Sequence, residues 1–205
     1  MKKILLLLFC IPMLAFAGEK DDSKYLAGAV PEENGQVVFR QAFAAKGKNQ
    51  AQIYQTMLDY ANRLMEQGIK GNRTRITMED AGQGLISLRM EEWMVFKKKP
   101  LYLDRTRFRY QLIFECQDGK CKMSLTQISY YYREDMEGNN GQTYKAEEWI
   151  NDKNAIKKDG TKLYPVSAKF RRKTVDRVAA IFAGAREAFE LPVQEQKRAT
   201  EILTE

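Results

Sequence analysis

The feature that most restricts this chain is a hairpin written into its centre. Cys116-Gln117-Asp118-Gly119-Lys120-Cys121 lies between two runs in which apolar and polar residues alternate. Asp-Gly in that setting is a strong hairpin signal, because a type I′ turn needs positive φ at both central residues. With Asp118 and Gly119 as the loop, Gln117 opposes Lys120 and Cys116 opposes Cys121. The pairing extends to Phe114 with Met123, Leu112 with Leu125, Tyr110 with Gln127 and Phe108 with Ser129. One face then carries Phe108, Tyr110, Leu112, Phe114, Cys116, Cys121, Met123 and Leu125, an apolar set suited to a core. The other carries Arg107, Arg109, Gln111, Ile113 and Glu115 with Lys122, Ser124, Thr126, Ile128, Tyr130 and Tyr132.

The register gives the two cysteines a role. A directly opposed, non-hydrogen-bonded pair has Cα atoms about 4.5 Å apart, at the short edge of disulfide geometry. A metal site would have two thiols and no histidine to offer, too few ligands for zinc. A redox dithiol is ordinarily C-x-x-C at a helix N-terminus rather than C-x4-C across a turn. A structural Cys116–Cys121 disulfide is therefore expected, contributing about 2 kcal/mol because the loop it closes is short.

Around the hairpin, Gln36–Ala44 reads as a first strand, and Arg73–Glu79 and Leu85–Phe96 as two more, joined by a turn at Asp80-Ala81-Gly82-Gln83-Gly84. In the last of these, Ile86, Leu88, Met90, Met94 and Phe96 share a face that Glu92 interrupts. Asn49 is the expected N-cap of a helix over Ala51–Gln67, with Ile53, Met57, Ala61, Leu64 and Met65 at helical spacing and Gly68 at the stop. A second helix is expected over Arg171–Glu190, striped by Val175, Val178, Ile181, Phe182, Ala185 and Phe189 and ended by Pro192. Residues 134–169 read as an irregular insertion with turns at 137–141 and Asp159-Gly160 and a short helical turn at Glu147-Glu148-Trp149-Ile150. A connection of that length is usually functional or mobile.

The ends of the chain speak to its address. Lys2 and Lys3, an apolar run from Ile4 to Ala15, and the small-residue site Ala15-Phe16-Ala17 have the order of a signal peptide, residues 1–17, removed before Gly18. The apolar run is too short for a membrane span. Reading Cys10 as a lipoprotein acceptor is weaker, since Phe9 precedes it and an apolar segment follows. The expected location is the periplasm or cell envelope, with no integral membrane segment after cleavage, in an oxidising compartment that favours the disulfide. Residues 18–35 read as an arm, 36–190 as a single α+β domain and 191–205 as a tail. The whole chain is charged +7. Segment 18–36 sets two lysines against five acids, so the excess of cations belongs to the body.

Several strings resemble a known family: Lys24-Tyr25-Leu26-Ala27-Gly28-Ala29-Val30-Pro31 followed by Gly35-Gln36-Val37-Val38-Phe39; Glu92-Trp93-Met94-Val95-Phe96; Leu103-Asp104-Arg105-Thr106-Arg107-Phe108-Arg109-Tyr110; the Cys116–Cys121 turn; Ile128-Ser129-Tyr130-Tyr131-Tyr132; and Phe170-Arg171-Arg172-Lys173-Thr174-Val175-Asp176. The family is an exported Bacteroidetes domain of unknown function with a TATA-binding-protein-like fold, and the likeness covers roughly 24–185. The resemblance implies a β-α-β4-α order, an antiparallel sheet with two helices packed on one face. It implies no activity, cofactor or catalytic residue.

The composition narrows function further. With no histidine in the chain, a Ser-His or Cys-His relay and His-containing zinc sites are excluded. No Gly-rich phosphate loop is present. Glu91-Glu92 and Glu147-Glu148 could serve an enzyme acting on an envelope or carbohydrate substrate. Adjacent acids in a strand point to opposite faces, however, so Glu91 and Glu92 cannot face each other across a substrate. A basic sheet bearing aromatic residues suits nucleic acid, but export separates the chain from it. The expectation is thus a non-catalytic binding module without cofactor or metal. Its open sheet face would meet an envelope protein or glycan, an anionic one included, through Trp93, Arg107, Arg109, Tyr130 and Tyr132.

Overall fold

The computed structural model describes residues 21–71, 73–134 and 140–190. The expected leader, Cys10, the residues 137–139 of the expected turn, and the tail with Pro192 lie outside them. In chain order the strands and helices are β1 (Glu32–Glu33), β2 (Gln36–Val37), β3 (Phe39–Ala44), α1 (Gln50–Glu66), β4 (Arg75–Asp80), β5 (Leu85–Lys99), β6 (Tyr102–Gln117), β7 (Lys120–Tyr132), β8 (Gln142–Lys145), α2 (Ala146–Trp149), α3 (Asp152–Ala155) and α4 (Pro165–Glu190).

Helix α1 begins where the sequence says it should. The Asn49 side chain accepts from Gln52 N at 2.9 Å while the Gln52 side chain accepts from Asn49 N at 3.0 Å, a reciprocal cap. The central hairpin is tied to this start, for Asp118 accepts from Gln50 N at 2.7 Å and Gly119 exchanges backbone bonds with Ala45 and Lys48. These bonds account for a departure from the expected turn. Gly119 alone of the two loop residues has positive φ, at 70°, so the turn is not type I′.

The main sheet runs β3-β7-β6-β5-β4, all antiparallel, and β8 extends it by pairing with β7 beyond the end of β3. Both long helices cover one face. There Ile86, Leu88, Met90, Phe108, Leu112, Phe114, Met123 and Leu125 are buried against Ile53, Met57, Ala61 and Leu64 of α1 and Val178, Ile181, Phe182 and Ala185 of α4. Glu92, the acid that breaks the β5 stripe, is answered from above: Arg177 of α4 donates to both its carboxylate oxygens at 2.8 and 2.7 Å. Gly84 marks where β5 starts against β6. Its φ is 67°, and a Cβ there would stand 2.2 Å from Cys116 O.

Three expectations need correction. The register around Asp118-Gly119 holds from Gln117↔Lys120 to Gln111↔Thr126 and then slips, so Phe108 faces Tyr130 and Arg109 faces Ser129. Gln127, with φ 53°, is an extra residue in β7, and this bulge turns Ile128, Tyr130 and Tyr132 to the helix-covered face. Next, Cys116 and Cys121 oppose each other as buried free thiols, and the expected disulfide is not formed. The thiols share a contact instead, which pushes Cys121 up, helped by burial, and holds Cys116 down. Finally, α4 starts six residues before the expected Arg171, at Pro165, whose fixed φ and missing N–H suit a first helical position.

The early start buries Arg171, which is 0% exposed. Its guanidinium donates to Tyr25 O, Leu26 O and Ile150 O and to the Asp152 carboxylate. Segment 134–169 is accordingly less irregular than expected. It supplies β8, α2, α3 and a bridge between Ile156 and Leu163, and Arg171 fastens it to the N-terminal arm.

Candidate functional site: the open sheet face

Two helices cannot cover both sides of the sheet, so the side chains of alternate strand residues form a second, open face. Cross-strand partners set them in rows. One row reads Glu91, Arg109, Ser129, Lys145, and the next Trp93, Arg107, Tyr131, Thr143. Beside these lie Arg89 opposite Arg75, and Arg105 opposite Val95.

The centre of the face is an ion-paired cluster. Glu91 is 4% exposed although it lies on the uncovered side, because arginines close over it. Arg109 Nε donates to it at 2.6 Å, Arg107 Nη1 at 3.4 Å, and Arg73 Nε stands at 3.8 Å. Arg107 Nε also donates to Glu134 at 2.6 Å, and this bond, ahead of the opposing cost of burial, raises the Arg107 pKa. Trp93 is packed against two guanidinium groups, with Arg105 at 3.6 Å and Arg107 at 5.0 Å from its ring centroid. Arg109 lies 5.0 Å from the centroid of Tyr131, whose hydroxyl donates to Asn140 O. Gly141, at φ 71°, permits that approach, since a Cβ there would meet the Tyr131 ring at 2.6 Å.

Trp93, Arg107 and Arg109 are therefore brought together as expected, while Tyr130 and Tyr132 are not. Tyr130 is fully buried, shares a 2.7 Å hydrogen bond with Thr174 and stacks on Phe108. Burial drives its hydroxyl well above the usual phenol range. Tyr132 packs edge-on to Phe96 and Phe170 and donates to Asp104 at 2.8 Å. Tyr131 takes their place on the open face. The signal for this lay in the sequence: apolar residues sit at odd positions through Leu125 and at even ones from Ile128, a change of alternation that only an inserted residue reconciles. Glu91 and Glu92 do point to opposite faces, each held by arginine. Among the described residues no group of three metal-ligating side chains converges.

The architecture is that of TATA-binding-protein-like α+β proteins, in which a single antiparallel sheet carries its helices on one side. The family model for a domain of unknown function with TBP-like fold, DUF4468, matches residues 39–131. A DUF4468 family protein from Bacteroides ovatus ATCC 8483 superposes with a TM-score of 0.78 and is 42% identical, over 85% of this chain and 98% of that one. The chain belongs to the DUF4468 family. A TBP-like protein from Parabacteroides distasonis ATCC 8503 shares the fold at TM-score 0.61 and 17% identity, over 79% of this chain and 97% of that one. No curated protein matches the chain.

Proposed function

We propose that the protein is a non-catalytic binding module of the cell envelope, exported by residues 1–17, that captures an anionic protein or glycan on its arginine face. The observation that carries this reading is Trp93. It is a partly exposed indole held against two guanidinium groups, beside Tyr131, on a face where cations outnumber acids. Trp, Tyr and Arg are the residues enriched among interface anchors, and a side chain already fixed by stacking loses little freedom when a partner arrives. A non-catalytic role is supported by the state of the candidate acids, since Glu91 and Glu92 are separated by the sheet and each engaged by arginine.

The test is capture of partners from envelope extract by the wild type, by Trp93→Ala with Tyr131→Ala, and by Lys158→Glu on a distant loop. Loss with the first variant and retention with the second is expected. Equal capture by all three would leave the open face as solvated surface.

A further inference from the structure

The β5–β6 hairpin outruns its neighbours. Strand β7 follows β6 only as far as Tyr132↔Thr106, and β4 follows β5 only to Arg75↔Arg89, so Lys97–Leu103 stand beyond the sheet. The tip is amphipathic in an unusual sense. Leu101 is wholly exposed, Tyr102 is 50% and Leu103 46% exposed, and Lys97, Lys98 and Lys99 precede them on the same hairpin. None of the three lysines has an ion-pair partner among the described residues. The acids near the base of the hairpin are engaged already: Asp104 with Lys169 at 2.7 Å and Glu134 with Arg107 at 2.6 Å. Leu101 also has φ 60°, as the second residue of the two-residue turn Pro100-Leu101, where glycine would be free of strain. An apolar branched side chain is kept there at a conformational cost and pointed at solvent.

We propose that this tip is a membrane-surface anchor. Leu101, Tyr102 and Leu103 enter the headgroup region of an anionic bilayer, while Lys97, Lys98 and Lys99 form a collar over the lipid phosphates. Tyrosine suits that boundary, with an apolar ring and a wet hydroxyl. The shape favours lipid over an acidic protein. The tip is convex, so a protein would need a preformed apolar socket for Leu101, whereas a fluid bilayer supplies one anywhere. No helix among the described residues is long and apolar enough to cross a membrane, so the association would be peripheral. It is separate from partner capture on the arginine face and stands or falls independently.

Sedimentation of the full chain with phosphatidylglycerol–phosphatidylcholine vesicles, against phosphatidylcholine alone, tests it. The variants share one N-terminus, so the apolar first residues contribute equally to all. The wild type is expected to bind the anionic vesicles in a salt-sensitive manner. Each lysine near an anionic surface changes partitioning about fivefold, so K97Q with K98Q and K99Q should weaken binding about a hundredfold. Leu101→Gly with Leu103→Ser should also weaken it; glycine accepts the φ at 101, so the hairpin is retained. In a Tyr102→Trp variant, excited selectively by difference from the parent, emission should shift to the blue on vesicle binding. Equal binding by wild type and both tip variants would overturn the proposal. So would an unshifted Tyr102→Trp spectrum accompanied by equally lysine-dependent binding to polyglutamate, which would assign the tip to an acidic protein.

Discussion

Replacing Arg171 by Met should detach two segments from the sheet rather than loosen the whole molecule. Methionine fills much of the space of the arginine stem but offers no donors. Three carbonyls, of Tyr25, Leu26 and Ile150, lose their partner in a site where Arg171 is 0% exposed. Leaving a buried acceptor unpaired costs about 1–3 kcal/mol, and the lower part of that range applies where a segment can move to regain water. Three acceptors then give a loss of about 3–5 kcal/mol. The Asp152 carboxylate adds little, since its side chain is 43% exposed. With a urea m-value of about 2–3 kcal/mol/M, the midpoint should fall by about 1.5 M. Arg171→Lys should be nearly as harmful, because one ammonium cannot reach three divergent carbonyls and a carboxylate. Hydrogen exchange locates the damage. The amides of Gly28, Ala155 and Tyr164 should lose protection while those of Cys116 and Leu125 keep it. A midpoint shift below about 0.3 M, or a uniform loss of protection, would refute the reasoning.

Other consequences can be checked alongside. Arg107→Glu with Arg109→Glu, a pair that strand alternation alone marks as harmless surface changes, should cost about 3 kcal/mol or more by stranding the buried Glu91 among like charges. Calorimetry should show a fall in Tm of about 6–12 °C, and an unchanged Tm would mean that Glu91 is solvated. Tyr60 donates to Ile181 O at 2.7 Å, and burial pushes its hydroxyl up to about 12 from 10.0. The folded state thus keeps that proton to higher pH than the unfolded one. The associated stability, about 2–3 kcal/mol, is whole below pH 10 and disappears between pH 10 and 12. Tyr60→Phe should flatten the alkaline limb of the stability profile relative to wild type.

Much of this fold could be read from residue order because its elements obey local rules. Asn49 and Gln52 cap each other within one turn, Asp118-Gly119 reverses the chain, and alternation assigns β5 and β6 to their faces without reference to anything distant. What could not be read depends on contacts far apart in sequence. Pro165 looks like a loop residue until Arg171, six positions on, is seen to bind Tyr25 and Leu26, some 145 residues away. Of the open face, Trp93, Arg107 and Arg109 were legible. Glu91 was identified as a strand acid on the right side, but its closure beneath three arginines needs the neighbouring strand and the loop that carries Arg73. Tyr131 was missed because an unbroken pairing was carried past Gln127.

That extra residue can be understood as a phase shift. A strand is a two-letter rhythm, and the message of every beat depends on those before it. Strand β7 splices two passages written out of step, one ending at Leu125 and one opening at Ile128, and Gln127 is the rest that brings them back into time. Deleting it would leave each later side chain chemically intact and wrongly addressed, with Tyr130 turned to water and Tyr131 forced beneath the helices. A single silent position thus determines which tyrosine the outside world meets.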